Sequence, residues 1–257
     1  MTTVKMPKFL TIRQETDNEP AEMSIDGEIV TDEWEDSDTS ATGFRDALKS
    51  LGDVKTINLH INSPGGSVFE GIAIYNMLKQ HPAHINVYVD GLAASIASVI
   101  AMSGDAIFMP SNAMLMIHNP WTFAMGNAAE LRKQADDLDK ITQSSVQIYL
   151  DKAGDKLDQD TLTQLMDNET WLSAKEAVDY GLADEVMQAN QAAACLDKRF
   201  MQLYQNVPKQ LLQAKEDKPA PKQETGLADE VRQQMLEQYQ AQLKATNLEL
   251  NQLKEDY

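Results

Sequence analysis

The sequence predicts an α/β fold in which a largely parallel sheet is joined by crossover helices. Two observations carry this. Stretches that alternate like strands and stretches with helical periodicity succeed one another from Val54 to Met102, and glycines or prolines punctuate them. The chain has 257 residues, 42% of them apolar, which suffices for one large domain and an appendage.

Taken in order, Glu15 to Asp38 holds eleven acidic residues and no Lys or Arg, which predicts a solvated arm with one edge strand where Met23–Ile29 alternates. Val54–Ile61 alternates as a strand. Ser63-Pro-Gly-Gly66 breaks it, and Val68–Lys79 then sets Val68, Ile72, Tyr75 and Leu78 on one helical face. His84–Val89 repeats the strand, Gly91 is the break, and Ser95–Met102 is an apolar helix ending at Gly104. Ala106–Met109 and Ala113–Ile117 are short strands around Pro110. Ala129–Leu150 carries Leu131, Ala135, Leu138, Ile141, Ser145 and Ile148 at helical spacing among charges, which predicts a long amphipathic helix. After Gly154 a polar stretch leads to a helix at Trp171–Val178, where Ser173 and Glu176 have capping-box spacing. The compact part closes near Val186.

Beyond Gln188 the composition turns to Gln, Ala, Lys and Glu, with Pro208, Pro219 and Pro221 marking a linker. Leu236, Leu243 and Leu250 then recur every seven residues, which suits a short coiled coil and a solvent-exposed helix equally. Gly181-Leu-Ala-Asp-Glu-Val186 recurs verbatim as Gly226–Val231, and no sequence feature explains it. The organisation is thus an arm at 1–20, a domain at 21–188 and an acidic, partly helical or disordered extension at 189–257.

Several functions are excluded. A formal charge of -18 makes a phosphate backbone an unsuitable partner, so no nucleic-acid binding is expected. The longest apolar stretches, such as Leu92–Met102, fall short of the roughly 20 residues that span a bilayer, and no membrane association is expected. Met1–Lys8 lacks a secretory apolar block and Cys195 has no partner, which predicts a reducing, cytoplasmic setting. No histidine pair has zinc-like spacing, so no metal is expected. The glycine pair lacks the companions of a nucleotide loop, so no cofactor is expected either.

Three features could carry chemistry. Ser95 lies where a strand stops and an apolar helix begins, which would expose its hydroxyl and aim the Ile96 amide at whatever it attacks. A small residue filling a tight helix–strand contact would look the same. His118 closes the strand Ala113–Ile117, so its ring should emerge at the strand end, although a lone histidine is more often structural. Ser63-Pro-Gly-Gly66 could turn backbone amides toward an anion, or simply turn. Together the three are the parts of acyl transfer by serine, which needs a nearby base and an acid to orient it. Asp167 and Glu169 are the acids on offer.

These residues resemble a known family. Ile61-Asn-Ser-Pro-Gly-Gly-Ser67, Gly91-Leu-Ala-Ala-Ser-Ile-Ala97, Met116-Ile-His-Asn-Pro120 and Leu172–Asp184 occur in the order seen in the proteolytic subunit of Clp protease, and the match runs from Ile25 to Val186. Within that family the chain is most similar to phage and prophage head maturation proteases, through Glu169-Thr-Trp-Leu-Ser-Ala174 and the C-terminal extension. The resemblance implies a crotonase-like spiral of βαβ units and a serine endopeptidase acting on capsid or scaffold proteins. It assigns Ser95 as nucleophile, His118 as base, and the amides of Gly66 and Ile96 as the oxyanion hole. An ungapped count places the acid at Glu169, with Asp167 in reserve after a two-residue shift. It makes Ala129–Leu150 a handle helix through which homo-oligomeric rings stack, beside a strand at Trp121–Gly126. That strand, with Trp121, Thr122 and Phe123, would hold an extended substrate together with Gly65, Ser67 and Val68. Alternatives under the same resemblance are an ATPase-dependent housekeeping subunit and a catalytically silent assembly protein. The arm lacks a counterpart of the family's axial segment.

Overall fold

The computed structural model describes residues 20–33, 35, 37–189 and 204–208. The chain divides into two units, 1–214 and 215–257, and every described residue belongs to the first. The leucine heptads and the Gly226–Val231 copy lie outside the described residues.

Seven strands and six α-helices are present among the described residues. β1 is Ala21–Ile29, α1 Ala41–Ser50, β2 Thr56–Gly66, α2 Val68–Gln80, β3 His84–Ala94, α3 Ile96–Ala101, β4 Ala106–Pro110 and β5 Met114–Ile117. They are followed by α4 Ala128–Ala153, α5 Gln159–Asp167, β6 Thr170–Ser173, α6 Ala174–Asp179 and β7 Glu185–Met187. The main sheet runs β1-β2-β3-β4-β7, and every pair along it is parallel. The spiral of βαβ units implied by the resemblance is therefore the fold.

β3 is central because it is longer than any one of its neighbours on that side. β4 pairs with its first half, at Asn86–Tyr88, and β5 with its last three residues, Leu92–Ala94. β5 then pairs antiparallel with β6. The core forms where alternate residues of these strands meet the helices: Ile57, Leu59, Ile61, Val87 and Val89 are fully buried, with Ile74 of α2 and Ile100 of α3. Burial of each such side chain contributes about 1.5–3 kcal/mol. The acidic arm feeds this core. Ala21, Met23 and Ile25 are buried while their neighbours are partly exposed, as a half-buried edge strand requires.

Four sequence expectations are corrected. β2 does not stop at Ser63 and β3 does not stop at Gly91. Both run on because the β2–β3 register slips between Ile61 and Ser63. The Ser63 hydroxyl donates to the Gly27 carbonyl of β1 at 2.6 Å, where the β1–β2 register also shifts between Asp26 and Glu28, and accepts the Gly65 amide at 3.1 Å. Trp171 lies in β6 and not in a helix; the capping box of Ser173 and Glu176 is real but opens α6 at Ala174. Trp121–Gly126 forms no strand, since among the described residues no strand lies alongside to pair with it. The polar stretch after Gly154 holds α5, which buries only Leu162 and Met166 and so gave a weak signal.

α4 has 26 residues, about 39 Å at 1.5 Å per residue. Its buried residues, Ser145, Tyr149 and Ala153, all fall in its second half. Among the described residues no helix is long and apolar enough to cross a membrane.

Candidate active site

The site is assembled at the carboxyl ends of β3 and β5. Their parallel register sets Ala94 beside Met116, and the Ser95 amide extends the ladder by donating to the Met116 carbonyl at 2.9 Å. Ser95 itself has φ 55° and ψ -128°, a conformation that few side-chain-bearing residues adopt. This sharp joint ends β3, starts α3 and lifts the serine hydroxyl out of the sheet. His118 follows directly after the last residue of β5. The two side chains meet: His118 Nε2 lies 2.7 Å from Ser95 Oγ. For the hydroxyl to donate, Nε2 must carry no proton, which puts the imidazole proton on Nδ1.

Two further hydroxyls brace the joint. Ser98 donates to the Ser95 carbonyl at 2.5 Å, so the Tyr149 hydroxyl of α4, 2.7 Å from Ser98 Oγ, serves as donor to it. Burial raises the Tyr149 pKa and keeps it a neutral donor. Burial also lowers the pKa of His118, against the opposing charge of Glu169. A base with a depressed pKa stays unprotonated, and available, at neutral pH.

The glycine loop closes on this pair. Gly65 has φ 96°, and a Cβ there would stand 2.7 Å from both the Ala94 carbonyl oxygen and Ser95 Cβ. Gly65, Gly66 and Val68 share a cavity of about 260 Å³ with Ser95, His118 and Trp121. Ile96 lines a narrower recess beside the same serine and histidine. Ser67 is different: its amide donates to the Ile29 carbonyl at 2.7 Å and is already spent on β1. Trp121 and Phe123 pack edge to face at 5.2 Å and are largely exposed, and the Thr122 hydroxyl makes only a 3.5 Å contact with the Phe123 carbonyl.

Neither acid touches the imidazole. Asp167 accepts the Asn119 side-chain amide at 2.7 Å. Glu169, whose φ is 47°, accepts the Gln205 amide at 2.8 and 3.0 Å, the Asn206 amide at 2.8 Å and the Trp171 indole N–H at 3.4 Å. Both line a second cavity, of about 500 Å³, with His118. The geometry therefore joins Ser95, His118 and Gly65–Gly66 and leaves the acid one step away.

Sequence reasoning missed Tyr204. Its ring meets those of His118 and Trp171 edge-on, each at 5.7 Å, and its hydroxyl donates to the Pro64 carbonyl. It is buried in a small cluster with Leu92, Ala94 and Met116. The available signal was local: Phe200-Met-Gln-Leu-Tyr-Gln-Asn-Val207 is an apolar patch within a polar tail.

The sequence is similar to that of known proteins. A family model described as Clp protease matches residues 30–190. The ATP-dependent Clp protease proteolytic subunit of Ligilactobacillus salivarius (strain UCC118) is 36% identical over 166 residues, 64% of this chain and 81% of the relative. The subunit of the same name from Pleurastrum terricola is 35% identical over 142 residues, covering 54% and 71%. Proteolytic subunit 1 of Salinibacter ruber (strain DSM 13855 / M31) is 35% identical over 143 residues, covering 54% and 60%. With a family model spanning more than half its length and a serine–histidine pair at the matched motifs, the chain belongs to the Clp protease family of serine peptidases.

Proposed function

We propose that this chain is a Clp-type serine endopeptidase that cleaves capsid or scaffold proteins during phage head maturation, in the host cytoplasm. The observation that carries the chemistry is the 2.7 Å contact between His118 Nε2 and Ser95 Oγ at adjoining strand ends. Ser95 attacks the scissile carbonyl as His118 takes its proton, and His118 then returns that proton to the leaving amine. The amides of Gly66 and Ile96 hold the oxyanion, and water hydrolyses the acylated serine. Glu169 orients the imidazole, with Asp167 in reserve; the charge of Glu169 already acts on His118. No cofactor or metal enters these steps. An extended peptide is assigned to Trp121, Thr122, Phe123, Gly65, Ser67 and Val68; Trp121, Gly65 and Val68 lining the Ser95 cavity and Phe123 the one beside Glu169 support this.

The assignment to head maturation draws on Glu169-Thr-Trp-Leu-Ser-Ala174 and on the extension after Gln188. A second reading, a housekeeping subunit driven by an ATPase, draws on the relatives, which are named as ATP-dependent. Stacked rings joined through α4 suit either.

A fluorophosphonate probe tests the chemistry: it should label the native chain and fail on Ser95→Ala, whose turnover should fall on the order of 10⁶-fold. Equal labelling of both would refute Ser95 as nucleophile. Cleavage of a capsid substrate without ATP supports maturation, whereas turnover that needs an unfoldase and ATP supports the second reading.

A further inference from the structure

The cleft of this chain is not empty. The side chain of Tyr204 closes one wall of the cavity that holds Ser95, His118 and Gly65–Gly66. Three independent contacts fix it there. Its hydroxyl donates to the carbonyl of Pro64, the residue that leads into the glycine loop, and its side chain lines the same cavity as Ser95. Its ring packs edge-on against His118, the proposed base, and against Trp171 of β6. The next two residues offer their backbone amides to a single carboxylate, that of Glu169, at 2.8 to 3.0 Å. The Asn206 side chain adds a 2.9 Å bond to the Asn168 carbonyl.

This is how a peptide is recognised: an aromatic side chain in a pocket, backbone amides caught by a fixed acceptor, and a hydroxyl seated beside the nucleophile. The group presented to Ser95 is a phenol, which has no acyl carbonyl for the serine to attack, so the occupant blocks and is not consumed. Its second effect falls on Glu169. A carboxylate that accepts two backbone amides and an indole N–H is held away from the imidazole it would orient.

We propose that Tyr204–Pro208 is a built-in occupant of the peptide cleft that holds the peptidase off until it is displaced, and that the cleft accepts from a substrate the same chemistry, an aromatic residue followed by free backbone amides. The proposal rests on Ser95 being the nucleophile. Displacement clears the space beside Ser95 and frees Glu169 together, so both obstacles lift in one event.

The experiment measures two quantities on the full-length chain: the rate at which a fluorophosphonate labels Ser95, and amide hydrogen exchange at Gln205 and Asn206. Tyr204→Ala should label at least tenfold faster than the native chain, and Tyr204→Phe, which loses only the bond to Pro64, should fall between them. An acetylated, amidated Tyr-Gln-Asn-Val-Pro peptide added in excess should slow labelling of Tyr204→Ala. The Gln205 and Asn206 amides should be protected in the native chain and unprotected in Tyr204→Ala. Equal labelling rates in all three chains, or unprotected amides in the native one, would overturn the occupant while leaving the peptidase reading intact. Protected amides with no labelling of any chain would instead overturn the nucleophile, and this proposal with it.

Discussion

Position 65 tolerates only glycine, for two separate reasons. Its φ of 96° is strained for any L side chain, and a Cβ would press at 2.7 Å on the Ala94 carbonyl oxygen and on Ser95 Cβ. Neither obstacle is a flexible side-chain end. Gly65→Ala should cost about 1–3 kcal/mol in urea denaturation and also abolish Ser95 labelling, because relief requires moving the serine joint itself. Labelling at the native rate would show that the joint is not under this constraint. His118 makes a second prediction. Burial depresses its pKa, so the acid limb of kcat/KM should have its midpoint below the ordinary histidine value of about 6.5. The same depression sets the sign of a stability effect. Below about pH 6.5 the unfolded chain binds a proton that the folded imidazole resists, so stability falls as pH falls through the folded pKa, and His118→Gln should flatten that slope in urea titrations. The choice of acid is best tested in the Tyr204→Ala background, where Glu169 no longer holds the Gln205 and Asn206 amides in place. There Glu169→Gln should lower kcat by 10²-fold or more, while Asp167→Asn, which trims one hydrogen bond to Asn119, should change it only a few-fold. The reverse order would transfer the role to Asp167.

At the scale of elements, α4 reaches Ser95 through two hydroxyls, from Tyr149 to Ser98 to the Ser95 carbonyl. Tyr149→Phe should cost about 1 kcal/mol in urea denaturation. Ser98→Ala should cost about 1–3 kcal/mol, since it strands the buried Tyr149 hydroxyl. If Ser98→Ala leaves both stability and labelling unchanged, the brace has no role. This link was invisible in the sequence, where Ser98 and Tyr149 are 51 positions apart and each reads as a helix residue. What was legible was local: the period of two in β1, β2 and β3 and the Ser173–Glu176 box, whereas α2 was placed correctly but buries Gly71, Ile74 and Leu78 and leaves Val68, Ile72 and Tyr75 of the expected face only partly buried. The reading went wrong where a nonlocal partner overrides a local rule. Gly91 and Pro64 look like strand breakers, yet the neighbouring strands and the Ser63 hydroxyl supply what they lack. Trp171 looks helical beside a capping box and is a strand residue because Met116 lies opposite it. Ser95 and His118 were found because each ends a strand, and strand order alone then brings them together. Tyr204 was missed because its pocket is built from Pro64, His118 and Trp171, which are distant in sequence.

For the whole molecule, the first half of α4 is largely exposed. Leu131, Met125, Phe123 and Trp121 are exposed apolar residues near its start, and neither packing nor the acidic surface of a chain of net charge -18 accounts for them. The segment Trp121–Gly126 likewise has no strand to pair with among the described residues. Both fit ring stacking through this helix. Leu131→Asp should lower the mass seen by size-exclusion light scattering and reduce peptidase activity in step; full activity in a proven monomer would separate assembly from catalysis. The fork at β3 bears on this coupling. β5 grips β3 by only three residue pairs, and its other edge is covered by the four-residue β6. Peeling that small flap would break the bond from the Ser95 amide to Met116 and part the serine from its histidine, while the larger β1-β2-β3-β4 sheet stayed whole. The deuterium uptake of a single backbone N–H, that of Ser95, would thus act as a gauge of how much of the population is ready to work.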